Sequence, residues 1–438
     1  MKEKIKPSDI MVIGFALFAM FFGAGNLIFP PYLGLISGTH WWIAFLGFLI
    51  ADAGLALVSI LVLSKFDGNL GDFFGRVGKT FAVLLSMAIV LSIGPLLAIP
   101  RTAATSYELG ILPIFGESFH RYLFSIIYFI LVFLLTVRPS KVVDIVGKIL
   151  TPTLLICIAI LIIMGITRKI GQVSPEMMIA HPLERGIKDG YQTMDAIAGC
   201  LFALVVISAV KTLGYQNRKT EIRATAIAGI IAATALGLVY GGLTYLGATI
   251  SGQGLFDITV NQTFLIVEIT NQILGDFGVI VLAIIAGLAC LTTAIGLTSS
   301  TGAYFEELTK GKIKYVTVVC IMSILSALIS MLGVSKIIGI SAPILETVYP
   351  CTITLVILGM FHEKIEDNLI YQIPTYVALI FGFLYVLHNK AILGSFGSYL
   401  EHLPLAEFGL GWIVPTLIAL VIAIGSVHLI KNENKGKS

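Results

Sequence analysis

The sequence predicts an all-α polytopic membrane protein of about twelve spanning helices, on three observations. Of 438 residues, 57% are hydrophobic and 12% charged, with a mean hydropathy of +0.97, whereas a soluble domain carries roughly 25% charged residues. Apolar runs of about 20 residues, the length that crosses a bilayer as a helix, recur from end to end. Lysine and arginine collect on one set of alternate connections, which sets a single orientation.

The runs fall near residues 9 to 36, 41 to 64, 80 to 107, 120 to 137, 145 to 167, 187 to 210, 222 to 249, 277 to 305, 315 to 332, 341 to 361, 369 to 388 and 411 to 430. With a cytoplasmic N-terminus, about 20 of the 28 basic residues lie on the inner side, including Lys2, Lys4, Lys6, Lys65, Arg76, Lys79, Arg138, Lys141, Lys148 and Lys437. An even number of spans then returns the C-terminus to the cytoplasm. The opening "MKEKIKPSDIMVIGFALFAM" has the basic head and apolar stretch of a signal peptide, but no A-x-A-like site follows, so it is read as a retained first span. Residues 66 to 79 read as a short interfacial segment. Residues 250 to 276 are too interrupted to span and read as an external segment able to fold over the protein as a lid. The triplet Asn261-Gln262-Thr263 in that segment carries no weight alone.

Composition also narrows function. A net charge of +3 gives no reason to expect a nucleic-acid partner. Cys157, Cys200, Cys290, Cys320 and Cys351 are scattered through apolar runs, without the spacing of a disulfide framework or metal site. Pro95, Pro100, Pro152, Pro343 and Pro350 lie in or at the ends of spans. Broken helices are tolerated in a membrane only where protein or a water-lined cavity satisfies the freed backbone groups, so a simple bundle is not expected.

The first span contains "FFGAGNLIFPPYLG", residues 21 to 34. Unwinding around Gly23 to Gly25 would free the carbonyls of Ala19 to Phe22 at one half-helix end and amides near Gly25 and Asn26 at the other. Carbonyls attract a cation and helix N-terminal amides an anion, so the pair suits a zwitterion beside a metal cation. The alternative is that Gly23, Ala24 and Gly25 merely let another helix approach. Asn26, Pro30 and Pro31 are more than close approach requires.

With "IGPLLAIPRTAATSYE" at 93 to 108 and "CLTTAIGL" at 290 to 297, this motif resembles the bacterial branched-chain amino acid cation symporter family, within the wider leucine-transporter fold. The resemblance covers essentially the whole chain as a single membrane domain. It implies two inverted five-helix repeats, 9 to 167 and 187 to 361, with discontinuous helices 1 and 6 and two accessory helices over 369 to 430. It implies uptake of leucine, isoleucine and valine across the bacterial cell membrane, driven by a cation gradient. The sixth span should then be broken as the first is, and "GYQTMDAIAGCLFALVVISAV" offers the small patch Ala196, Ala198 and Gly199. Carried over, Phe22, Gly23, Ala24, Gly25 and Asn26 would face the substrate together with Ala198, Gly199, Cys200 and Phe202. Carbonyls of the outer sixth half-helix would receive its ammonium. Na+ as coupling ion would meet the Ala19, Phe22 and Ala289 carbonyls and the hydroxyls of Thr292 and Thr293. Those threonines lie about half-way across the eighth span, though hydroxyls bonded to a carbonyl one turn back would look the same.

Ionisable residues within a span usually face a cavity or a partner. Arg101 and Asp195, in the outer parts of the third and sixth spans, are a candidate external gate pair, with interfacial snorkelling as the alternative. Asp52 is nearer mid-membrane and reads as a structural anchor, and Glu346 is ambiguous. Proton coupling through Asp52, Asp195 or Glu346 remains a rival to sodium. A channel and a membrane-embedded enzyme are alternatives of other classes. The nearest catalytic motif, "HEKIE" at 362 to 366, lacks the second histidine of H-E-x-x-H, and no Walker sequence supports direct ATP drive. The lipid bilayer is the expected surrounding; nothing in the sequence sets the oligomeric state.

Overall fold

Apolar runs in a bilayer have no water to satisfy their peptide groups, so they must wind into helices. The computed structural model describes residues 5–137, 150–168 and 170–435, and those residues are helical or irregular, without a strand. Lys2, Lys4, Arg138, Lys141, Lys148, Lys437 and the beginning of the run at 145 lie outside the described residues.

The chain forms α1 (Pro7–Phe21), α2 (Ala24–Ser37), α3 (Trp41–Leu49), α4 (Leu55–Lys65), α5 (Leu70–Gly75), α6 (Lys79–Leu91) and α7 (Ala98–Ser106). It continues with α8 (Arg121–Thr136), α9 (Thr151–Arg168), α10 (Pro182–Thr193), α11 (Asp195–Thr212), α12 (Arg218–Ser251) and α13 (Gln262–Leu274). Then follow α14 (Asp276–Leu308), α15 (Tyr315–Ser330), α16 (Val334–Met360), α17 (Leu369–Asn389) and α18 (Ile413–Lys435). Among the described residues nine helical stretches are long and apolar enough to cross a membrane, and α1, α8 and α15 are shorter apolar helices. Residues 66 to 79 contain α5, and residues 250 to 276 contain α13. Asn261 of the triplet is the N-cap of α13, its side chain accepting from the Thr263 and Phe264 amides, which satisfies donors a helix start leaves unpaired. The hydroxyl of Tyr32 on α2 donates to the Ile258 carbonyl at 2.7 Å, tying this segment down over the first span.

Helix packing relies on small residues, because in lipid van der Waals contact must replace the hydrophobic drive. α2 lies along α12 with the backbones nearly touching: a Cβ added to Gly247 would fall 1.8 Å from the Pro31 carbonyl oxygen. One added to Gly34 would fall 1.9 Å from that of Thr244. α10 packs on α3, α11 on α4, and α17 lies between α16 and α18. α8 leaves Ile126, Ile127, Ile130 and Leu134 exposed, the face that lipid would cover.

Three spans are interrupted. The first breaks at Phe22–Gly23 and the sixth at Met194. The third unwinds over Ser92–Leu97, where Gly94 leaves helical geometry (φ −81°, ψ −124°) ahead of Pro95. A wide turn at Ile50–Gly54, between α3 and α4, carries Asp52 inward.

Candidate functional site

At the first interruption Phe22 (φ −70°, ψ 91°) and Gly23 (φ −124°, ψ −152°) are extended. Any residue adopts such angles, so Gly23 is needed for space rather than for backbone freedom. A Cβ there would sit 2.7 Å from the hydroxyl of Thr293 on α14. Close approach and helix rupture therefore act together at one position. Asn26 secures the new helix start: its Oδ1 accepts from the Gly23 amide at 3.1 Å. Its Nδ2 lies 3.2 Å from Asp52 Oδ2 and 2.9 Å from Asp195 Oδ2, and also bonds the hydroxyl of Tyr240 on α12. The Thr193 hydroxyl lies 3.0 Å from Asp52 Oδ1. All five side chains are buried, so this polar node joins the first, second, sixth and seventh spans where unpaired polar groups would be costly.

The sixth span breaks one turn earlier than its small-residue patch suggests. α10 ends at Thr193, Met194 takes a left-handed conformation (φ 72°), and α11 begins at Asp195. Ala196, Ala198 and Gly199 are thus inside a helix. Gly199 turns to α4, where an added Cβ would lie 2.8 Å from the Ala56 carbonyl oxygen, and the Cys200 thiol bonds back to Ala196 at 3.8 Å. Ala198 and Phe202 line a cavity with Gly23, Ala24 and Asn26. Phe22 stacks between Phe18 and Tyr240, away from that cavity. Phe21 lines it instead, its ring edge-on to Phe202 at 5.1 Å. Gly25 also lies off the cavity wall, beside the guanidinium of Arg101.

The cavity is closed, with a volume of about 10 Å³, room for about one water. More of its wall comes from the third span, through Ile93, Ala98, Arg101 and Thr102, from Thr293 and Leu297 of α14, and from the sixth-span break at Thr193, Met194 and Asp195. The prolines at 95 and 100 signalled a break in the third span, but nothing local showed that it faces the other two. Tyr240 escaped sequence reading altogether. Its one signal is a phenol between small residues in "LGLVYGGL".

Beside the cavity, the expected ion ligands converge. Thr292 Oγ1 is 2.7 Å from the Ala19 carbonyl oxygen at the end of α1 and 2.9 Å from that of Ala289. Thr293 Oγ1 is 3.4 Å from Ala19. The single O–H of Thr292 is thus shared between the carbonyl one turn back in its own helix and that of Ala19 across on α1. The non-helical ψ of Phe22 takes its carbonyl out of the α1 ladder. Buried neutral oxygens from two helices suit a hard monovalent cation.

Arg101 and Asp195 both line the cavity but form no ion pair among the described residues. Arg101 Nη1 donates to the Gln192 carbonyl at 2.6 Å and Nη2 to that of Thr193 at 3.2 Å, capping the end of α10, while Asp195 turns to Asn26. The expected gate pair is replaced by a guanidinium on a helix C-terminus, where the dipole favours a cation. Glu346 lies away from the cavity, accepting from Asn389 at 3.1 Å. His362 of "HEKIE" packs its ring 4.4 Å from that of Phe66.

The comparisons with known proteins agree with this architecture. A family model described as branched-chain amino acid transport protein matches residues 6–429. The chain is 37% identical to the branched-chain amino acid transport system 2 carrier protein of Pseudomonas aeruginosa over 96% of each chain. It is 35% identical to the branched-chain amino acid permease BrnQ of Escherichia coli over 97% of each, and 36% identical to the permease BraB of Bacillus subtilis over 96% of each. Among solved structures, it superposes on a nucleobase-cation-symport-1 family transporter in a closed conformation with bromovinylhydantoin bound. That match has a TM-score of 0.61 at 13% identity, covering 98% of this chain and 96% of the other. It also superposes on a Na+-coupled sialic acid symporter, with a TM-score of 0.60 at 14% identity, covering 94% and 89%. At such identities these two structures speak to the fold alone.

Proposed function

The chain belongs to the branched-chain amino acid transport protein family, and from that premise we propose that it imports leucine, isoleucine and valine by sodium-coupled symport with alternating access. As a carrier it is not an enzyme. The observation that carries the mechanism is the meeting of two helix breaks at one closed cavity, beside the oxygens of Ala19, Ala289, Thr292 and Thr293. The amides at the start of α2 favour the substrate carboxylate. The apolar wall of Phe21, Ala198, Phe202 and Leu297 takes its side chain. Such a wall separates analogues differing by one methylene by only about 1 to 3 kcal/mol, which suits a carrier shared by three aliphatic amino acids.

Sodium bound between α1 and α14 would tie the first span to the eighth, and its loss inward would free the two to part. The node at Asn26 lets the first, second, sixth and seventh spans rock as one body. The inner bias of basic residues supports cytoplasmic termini, and the two broken spans, first and sixth, are those an inverted five-helix repeat would pair.

Radiolabelled leucine uptake into proteoliposomes under an imposed sodium gradient, with no pH gradient, tests the reading. Accumulation that follows the sodium gradient supports it. Accumulation that ignores sodium and follows a pH gradient overturns sodium coupling in favour of protons, a rival supported by the buried carboxyls of Asp52 and Asp195. Leucine flux that neither saturates nor exchanges with internal leucine would point to a channel.

A further inference from the structure

The end of α10 is the negative pole of a half-helix and would ordinarily attract a cation. In this protein that pole holds Arg101, which reaches it from the third span and lays both Nη atoms on the Gln192 and Thr193 carbonyls. The guanidinium is 2% exposed, and its Nε has no partner among the described residues. It also leans over the start of α2, where Nη2 would be 3.2 Å from a Cβ on Gly25. An arginine thus stands between the carbonyl pole of one half-helix and the amide pole of another, in the wall of a cavity too small for a branched-chain amino acid. The two poles are those that would separate an ammonium from a carboxylate. The guanidinium occupies the first and borders the second.

Building on the transport reading, we propose that Arg101 joins the amides at the start of α2 in binding the carboxylate of the transported α-amino acid, and that it exchanges the Gln192 and Thr193 carbonyls for that carboxylate as the substrate ammonium takes its place on them. The arriving zwitterion supplies an ammonium for the carbonyls and an acceptor for the displaced fork, so the two carbonyls and both Nη atoms keep a partner through the exchange. A planar fork with five donors meets a carboxylate with two bonds, which an ammonium cannot reproduce. The site then selects for molecules carrying both charges at α-amino acid spacing. An amine without the carboxylate displaces Arg101 with nothing to receive it. An acid without the ammonium leaves carbonyls unpaired.

The test is competition against radiolabelled leucine binding by the purified full-length protein. The competitors are leucine, leucinamide, whose carboxylate is replaced by an uncharged amide, and 4-methylpentanoate, which lacks the ammonium. The wild type is expected to bind leucine about 10- to 100-fold more tightly than either analogue, the range for one charge-assisted interaction. Arg101→Gln should weaken leucine and 4-methylpentanoate by about that factor while leucinamide changes less than about threefold. Arg101→Lys, which keeps the charge without the fork, should fall between. Melting temperature and elution profile establish that each variant is folded. Equal loss of leucine and leucinamide in a folded Arg101→Gln protein, or unchanged leucine affinity, overturns the assignment. Wild-type protein that binds no leucine at all overturns the transport reading and this proposal with it, whereas wild-type leucine binding with unaltered discrimination in both variants removes the role of Arg101 alone.

Discussion

Replacing Asn26 with leucine removes the polar node while keeping a branched side chain in place. The Asn26 side chain touches four groups: Oδ1 accepts from the Gly23 amide, and the two N–H of Nδ2 are shared among Asp52, Asp195 and Tyr240. An interhelical hydrogen bond in a membrane protein contributes about 0.6 kcal/mol on average and up to about 1.7. Asn26→Leu should therefore cost about 2 to 3 kcal/mol, and more if the two carboxyls find no new donor. Tyr240→Phe removes one of the four and should cost about 0.6 kcal/mol. Reversible unfolding of the purified protein in mixed micelles titrated with a denaturing detergent measures both. Asn26→Leu should also abolish leucine uptake, because the start of α2 loses the acceptor for its Gly23 amide. A variant Asn26→Leu within about 0.5 kcal/mol of wild type, or a Tyr240→Phe as damaging as Asn26→Leu, would refute the idea that four spans are joined through this amide.

Three further outcomes follow from the geometry. Thr292→Ala with Thr293→Ala should raise the sodium concentration for half-maximal leucine uptake by about tenfold or more, with leucine affinity recovered at high sodium; an unchanged sodium dependence discards the ion assignment. Phe202→Ala, which opens the wall facing Phe21, should weaken leucine uptake and admit a larger apolar substrate such as phenylalanine, read by competition; unaltered selectivity would place the side chain pocket elsewhere. Gly247→Ala should abolish recovery of folded protein, since its Cβ would meet the Pro31 carbonyl oxygen at 1.8 Å. Gly287→Ala, with nothing within 4 Å, should express and elute as wild type does, and similar yields for the two would contradict the close α2 to α12 packing.

Much of the architecture was legible because it is local. A run of apolar residues long enough to cross lipid is a property of one short stretch, and helices occupy all twelve stretches within the described residues. The first break was equally legible, since glycines, an asparagine and two prolines stand within a few positions of one another. The sixth break was less so. Its actual position, Met194, carries no local mark, and a methionine accepts a left-handed conformation there only because surrounding structure holds it. Ala196 and Gly199 looked like the break because small residues serve both rupture and packing, and here they serve packing.

Sequence by itself determined that this chain is built of membrane-spanning helices and that its first span is interrupted; the oxygens of Ala19, Ala289, Thr292 and Thr293 it offered only as expected ligands of a cation, through the family resemblance. Only the tertiary structure decided which charges meet. Asn26 gathers Asp52, Asp195 and Tyr240 from 26, 169 and 214 positions away, and Arg101 chooses two backbone carbonyls over the carboxylate it was expected to face. The reason is electrostatic. In a medium without water each buried polar group must find its partner inside the protein, and which partner is within reach depends on how helices distant in sequence lie against one another.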